Sequence, residues 1–237
     1  SLTCPEIDLP WGLKLADVKF DFNWQAEGFE LPRLRARAFD GTVEALFKVE
    51  GTKVDLPFEL SLVINGADVE KLLDATRVMN PGLRGLLQVE ANFQGSLLEP
   101  VQAGGIGQLR LLNGALLDMP ILIYLGGFLG RMDDLRRVIL KKGEVDFMVH
   151  RGVFQIPSLQ LISQLLELHG NGVVETVDRT LDFELKLSFN REIAELVPPA
   201  VFEGAHRRAD GYMEMPFRIW GDWTHPKEDL LARFAPI

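Results

Sequence analysis

Apolar and polar residues alternate with period two through most of this chain, and a segment patterned in that way has one face to bury and one to leave in water. Val18, Phe20, Phe22 and Trp24 fall on one side of such a segment, with Lys19, Asp21 and Asn23 on the other. The same design returns at Leu56, Phe58, Leu60, Leu62 and Ile64, and at Leu87, Val89, Ala91 and Phe93. It recurs at Val145, Phe147 and Val149, and in the run Leu181, Phe183, Leu185, Leu187 and Phe189. About eleven such strands are expected.

Turn residues predict how these strands are joined. Asp40-Gly41 suits a two-residue hairpin turn, whose central positions both need positive φ. Pairing across it sets Ala38 opposite Val43, Ala36 opposite Ala45 and Leu34 opposite Phe47, with Arg37 meeting Glu44 on the other face. A turn at Arg151-Gly152 pairs Val149 with Phe154, Phe147 with Ile156 and Met148 with Gln155, and sorts the faces in the same way. Asn113-Gly114, Asn171-Gly172 and Asp210-Gly211 read as further turns. Helical periodicity is confined to three segments: Ala67 to Met79, Pro120 to Leu140, and Arg191 to Glu203, the last interrupted by Pro198-Pro199. The strand and helix alternation of a doubly wound fold is missing, so the expected class is α+β, mainly β, built on antiparallel sheet. The connector Leu98 to Gly104 is too short to uncouple two bodies, which predicts a single domain over 1–237. Its halves, 1–100 and 104–237, share a loose strands-then-helix layout.

Composition narrows the function. With 47% hydrophobic and 25% charged residues the chain is an ordinary globular one, and a net charge of -9 argues against a nucleic-acid partner. Cys4, the single cysteine, can neither close an intramolecular disulfide nor hold a zinc alone. The apolar run Met119 to Gly130 falls short of the roughly 20 residues that cross a bilayer. The segment Met119 to Leu129 is expected to pack as a helix rather than touch membrane. No basic signal segment leads the chain, and its abrupt start suggests a piece of something longer.

Catalytic chemistry is thin. His150, His169, His206 and His225 are too scattered for a metal pair at helical spacing, and Gly95-Ser96 lacks the flanking glycine of a nucleophile elbow. Gly104-Gly105-Ile106-Gly107 runs into the alternating Gln108-Leu109-Arg110-Leu111 rather than into a helix, so it reads as a strand entry, not a dinucleotide cradle. No enzyme activity, metal or cofactor is expected. What remains is a surplus: a helix about 10 Å wide covers about two strands spaced ~4.8 Å, so three modest helices cannot cover the expected sheet. Either the sheet closes on itself or part of its apolar face stays open. The residues expected to line an open face are Phe20, Phe22, Trp24, Phe58, Leu60, Leu62, Val89, Phe93, Phe147, Val149, Phe183, Leu185 and Leu187.

One stretch, Gly105-x-Gly107-x-Leu109-x-Leu111-x-Asn113-Gly114 followed by Leu117-x-Met119-Pro120 and an apolar helix, resembles the C-terminal region of AsmA-like proteins, relatives of TamB. Further pieces follow in order. Phe147 leads to Arg151-Gly152, where that family more often shows Asp-Gly, then come Ser158-x-x-Leu161, Leu168-x-Gly170-x-Gly172 and the strand Leu181 to Phe189. The close, Met215-Pro216-Phe217-Arg218-Ile219-Trp220-Gly221 with Pro226-Lys227, is similar to that family's terminal strand. The resemblance spans roughly residues 104–227 and rests on glycines and patterning. It implies a fragment of a longer envelope protein, held in the inner membrane by a segment absent from this chain, with this part in the periplasm. It also implies a long curved antiparallel sheet with an apolar concave face and a few capping helices. The partners it implies are phospholipid acyl chains moving between inner and outer membranes, and other parts of its own longer chain. An alternative is a structural or assembly module with a closed core that aids outer-membrane biogenesis by contacting outer-membrane proteins.

Overall fold

A computed structural model of the chain describes residues 2–8, 14–76, 82–117, 137–196 and 204–230. Fourteen strands among these residues form one open, curved, antiparallel sheet. In chain order they are β1 (Leu2–Asp8), β2 (Lys14–Gln25), β3 (Gly28–Ala38), β4 (Gly41–Glu50), β5 (Pro57–Asp68), β6 (Leu83–Ser96) and β7 (Gly104–Leu117). Then come β8 (Arg137–His150), β9 (Val153–Ser163), β10 (Leu166–Glu175), β11 (Thr180–Phe189), β12 (His206–Arg207), β13 (Met213–Asp222) and β14 (Lys227–Glu228). Each strand from β1 to β11 pairs with the next, β13 follows β11, and the short β12 and β14 both pair with β13. The expected mainly-β, antiparallel class is therefore what the chain adopts.

Two helices are described. α1 (Val69–Thr76) follows β5 directly; the Asp68 carboxylate accepts the Lys71 N–H at 3.1 Å and so caps its first turn. Lys71 in turn pairs with Asp40, which fixes the helix to the β3–β4 hairpin. α2 (Arg191–Leu196) is capped by Asn190, whose Oδ1 accepts the Ile193 N–H at 2.9 Å while its Nδ2 donates to the Gln164 carbonyl at 3.0 Å. Of the expected helices, Ala67 to Met79 begins two residues late as α1, because Ala67 and Asp68 still belong to β5, and 77–79 lie outside the described residues. For Arg191 to Glu203, α2 carries the start, and 197–203 lie outside the described residues. The expectation of a helix from Pro120 to Leu140 fails at its end. Residues 118–136, which include Met119 to Leu129, lie outside the described residues, and 137–140 open β8, where Val138 pairs with Leu116 and Ile139 with Ala115. The β-branched pair Val138-Ile139 favours that extended backbone.

Several turn assignments are corrected. The β3–β4 turn is centred on Phe39 and Asp40, both at positive φ, and Ala38 pairs with Gly41, Ala36 with Val43, Arg35 with Glu44 and Leu34 with Ala45. The register is two residues away from the sequence expectation, a slip that leaves every side chain on its expected face. Gly41 is needed for close approach instead, since a Cβ there would run into the backbone of Ala67. Asn113-Gly114 and Asn171-Gly172 lie inside β7 and β10, so neither is a turn. Asn113, at φ 51°, sits where the β6–β7 register shifts, and Asn171 lies opposite a shift in β9 near Pro157, which has no N–H to give the ladder. That same irregularity displaces Phe147 from Ile156, although Val149 with Phe154 and Met148 with Gln155 pair as expected. Asp210-Gly211 does form a turn, closed by the Gly211 N–H on the Arg208 carbonyl at 3.0 Å.

Candidate functional site

Cross-strand register turns the separate alternations into continuous rows on one face. One row runs Ala36, Val43, Ile64, Val89, Leu109, Val145, Leu159, Gly170, Leu185 and Phe217, each paired with the next from β3 to β13. Another runs Leu31, Phe47, Leu60, Phe93, Gly105, Val149, Phe154, Val174, Leu181 and Gly221 over the same ten strands. Between them lies Leu2, Phe20, Leu34, Ala45, Leu62, Ala91, Gly107 and Phe147, from β1 to β8. None of these rows contains a polar or charged side chain.

Rings and glycines interlock along these rows. Phe58 pairs with Gly95, Phe93 with Gly105, Phe147 with Gly107 and Phe183 with Gly172. In the last three pairs the ring stands within 2.5 Å of where a Cβ on the glycine would be, while at Gly95 the nearest obstacle is Ala103 and the Phe58 ring follows at 3.1 Å. Elsewhere rings meet rings: Trp24 stacks on Phe29 at 6.3 Å between centroids, Phe29 meets Phe47 at 5.7 Å, and Phe47 meets Phe58 at 5.8 Å. Such spacing is that of aromatic pairs in packed cores.

Burial is graded along the strands. At the end that carries α1 and α2, the face is closed: α2 places Ile193 and Ala194 against Leu116, Val138, Leu140, Leu166, Leu187, Phe189 and Met215, all buried. Toward the other end, where short hairpins join β2 to β3, β4 to β5, β6 to β7, β8 to β9 and β10 to β11, the same face is left half-covered, except at Val49, which is buried between Phe29 and Phe58. Along β11, Leu185, Leu187 and Phe189 are buried, whereas Phe183 and Leu181 are partly exposed. Along β6, Val89 and Ala91 are buried and Phe93 is not.

The thirteen expected lining residues thus share one face but not one environment. Leu187 belongs to the closed core, and Leu185, Val89 and Phe147 are also buried. Phe20, Phe58, Leu60, Leu62, Phe93, Val149 and Phe183 are half-buried, and Phe22 and Trp24 are exposed at 46% and 74%. Phe29, Phe47, Leu109, Phe154 and Leu181 are among the other residues of this face that were not in the thirteen. Phe47 and Phe154 had a signal, since hairpin pairing already placed them on the apolar side.

The opposite face is polar and laced with ion pairs. Arg35 meets Glu44 at 3.0 Å, Lys142 meets Glu144 at 2.9 Å, and Arg208 bridges Glu167 at 2.7 Å and Asp210 at 2.6 Å while its guanidinium lies over the Tyr212 ring. Burial pushes the Tyr212 hydroxyl above its ordinary range. Arg218 donates to both carboxylate oxygens of Asp182, with Nε at 2.7 Å from Oδ1, and these bonds hold the Asp182 carboxyl below the usual carboxylate range. A depressed folded value means the pair stabilises the fold above the unfolded value near 4, and the gain is lost as pH falls through the folded value. Both side chains are about half exposed, so Asp182→Asn is expected to cost under about 1 kcal/mol at pH 7. Urea unfolding should show that cost at pH 7 and no difference between the two proteins once acid has protonated the carboxylate.

Chemistry-bearing groups do not converge. The four histidines sit at His150 in β8, His169 in β10, His206 in β12 and His225 beyond β13, and His169 Nε2 lies 3.4 Å from Glu167 Oε2. Among the described residues no group of three His, Cys, Asp or Glu side chains could hold a metal ion, and no helix is long and apolar enough to cross a membrane. No family model, no curated protein and no solved structure matches this chain.

Proposed function

We propose that this chain is a non-enzymatic lipid-binding module whose apolar sheet face takes phospholipid acyl chains, serving lipid movement between the inner and outer membranes of a bacterial envelope. The observation that carries this reading is the apolar face itself: two rows without a polar side chain cross ten strands, and the one nearer the hairpins, through Phe47, Leu60, Phe93, Val149, Phe154 and Leu181, is left half-covered. An acyl chain laid there replaces water at about 0.8 kcal/mol per methylene fully buried, and less where one side stays open. The headgroup remains in water. Because successive strands present similar apolar rows, one binding position differs little from the next, and a bound chain can shift along the row without crossing a charge.

The glycine and strand pattern shared with AsmA-like C-terminal regions supports a periplasmic setting, with the sheet as one section of a longer conduit. The assembly-module alternative draws on the closed end, where α2 seals the face as an ordinary core.

One variant separates the two. Leu60→Glu with Phe93→Glu places two carboxylates side by side in the half-covered row. A lipid-binding face should keep its fold, judged by circular dichroism, and lose bound lipid by about tenfold or more in mass spectrometry of an organic extract. Wild-type protein that extracts without phospholipid, or a variant that unfolds, would favour the closed-core module.

A further inference from the structure

The five most exposed large hydrophobic residues among those described are Val54 at 94%, Trp24 at 74%, Val177 at 71%, and Leu98 and Val101 at 61%. All five stand at one end of the sheet. Trp24 is the last residue but one of β2, Val54 lies in the β4–β5 loop, Leu98 and Val101 in the β6–β7 loop, and Val177 in the β10–β11 loop. This is the hairpin end toward which the apolar face opens, opposite α1 and α2.

These loops are tied to one another. Gly51 N–H donates to the Glu27 carbonyl at 2.7 Å, Leu97 N–H to the Leu56 carbonyl at 3.1 Å, Thr176 N–H to the Gly152 carbonyl at 3.0 Å and Trp223 N–H to the Arg179 carbonyl at 3.0 Å. Val101 and Val177 both come within 4 Å of the place a Cβ on Gly152 would occupy, so the β8–β9 turn joins the same line. The tips therefore form one held rim, and these five side chains leave most of their surface in water even where they touch a neighbour, as Trp24 does on Phe29.

We infer that this rim docks on the surface of a zwitterionic lipid bilayer, with Trp24, Val54, Leu98, Val101 and Val177 entering the interfacial layer. The spacing favours that partner. Loops that join alternate strand pairs recur about every 10 Å, so the apolar tips are spread along a line from Trp24 to Val177, and only Val101 and Val177 come together, at Gly152. A protein partner would need a contiguous desolvated cluster, whereas a bilayer accepts separated apolar side chains one at a time, and Trp favours its interface. Charge selects the headgroup. Glu27, Asp55, Glu99 and Asp178 outnumber Arg151 and Arg179 among the tips, and Lys53 is already paired with Glu50 at 2.7 Å, so the rim is net acidic and an anionic surface is disfavoured.

The inference deepens the proposed function, since docking would bring the open side of the apolar face against lipid, but docking itself does not need that face to hold lipid. The test uses the 237-residue protein with sucrose-loaded phosphatidylcholine and phosphatidylethanolamine vesicles in a sedimentation assay. Wild type should pellet with the vesicles, and adding anionic lipid should not strengthen binding. The variant combining Trp24→Ser, Val54→Ser, Leu98→Ser, Val101→Ser and Val177→Ser should bind at least about tenfold more weakly. The pair Ile106→Ser with Met148→Ser, exposed on the polar face, should bind as wild type. If the fivefold variant misfolds, Val54→Ser with Val177→Ser alters only the two most solvent-exposed valines and should show a smaller loss of the same sign. Wild type that stays in solution, a rim variant that binds as wild type, or pelleting without vesicles that the variant abolishes would each overturn the inference. Binding of a soluble fluorescent fatty acid reads the apolar face separately: its absence beside rim-dependent pelleting would sink the lipid-binding reading and leave the docking rim standing.

Discussion

Phe189→Ala is expected to remove about 3–5 kcal/mol of stability, enough to unfold a large share of a domain whose total is of order 5–15 kcal/mol. Phe189 ends β11 with 1% of its surface exposed and packs in the same cluster as Leu166, Leu187, Ile193 and Met215. Its loss leaves a cavity roofed by α2, a helix of six residues held by one asparagine cap, and so removes both transfer energy and the seat of the helix. Phe93→Ala, in the half-covered row, should cost less than half as much, because that ring is already partly in water. Urea titrations of both variants, followed by circular dichroism, check the contrast. Equal losses would mean that the face is closed along its whole length, and the reading of an open lipid surface would fall with it.

The second large effect belongs to the glycines beneath the rings. A Cβ on Gly107 would stand 2.4 Å from the edge of the Phe147 ring and 2.8 Å from the Glu90 carbonyl oxygen. The ring can turn aside at some cost, but the backbone oxygen cannot, so Gly107→Val should destabilise by about 2–3 kcal/mol or more. Combining Gly107→Ala with Phe147→Leu should recover about 1 kcal/mol relative to the sum of the single changes, since the two sites share one space. Gly104, in the same strand, provides the control: its nearest neighbours to a new Cβ lie at 3.6 and 3.7 Å, and Gly104→Ala should be close to neutral. Additive effects at Gly107 and Phe147 would show that strand flexibility, not the ring, explains the glycine.

These two experiments probe different parts of one face, and those parts were unequally legible. Alternation in the sequence placed Phe58, Leu60, Leu62, Phe93, Val149 and Phe183 together correctly, because a period of two sorts side chains to faces without knowledge of strand partners. It could not see the two-residue slip at Phe39-Asp40, since any even shift sorts the faces identically. Nor could it distinguish a turn from a bulge at Asn113-Gly114 and Asn171-Gly172, where the same small residues satisfy both geometries. Leu187 and Phe58 look alike in sequence; only the seat of α2 puts the first in a sealed core and leaves the second half in water.

The amino-acid sequence by itself determined an antiparallel, two-faced sheet, the apolar membership of one face and the shortness of the connections, because these follow from local patterning and turn chemistry. Tertiary structure alone decided which glycine lies under which ring, where the face closes and where it opens, and that the exposed apolar tips stand on one rim. Those depend on register between strands dozens of residues apart, such as Gly107 with Phe147, and on where a six-residue helix comes to rest, and neither is written in any local stretch.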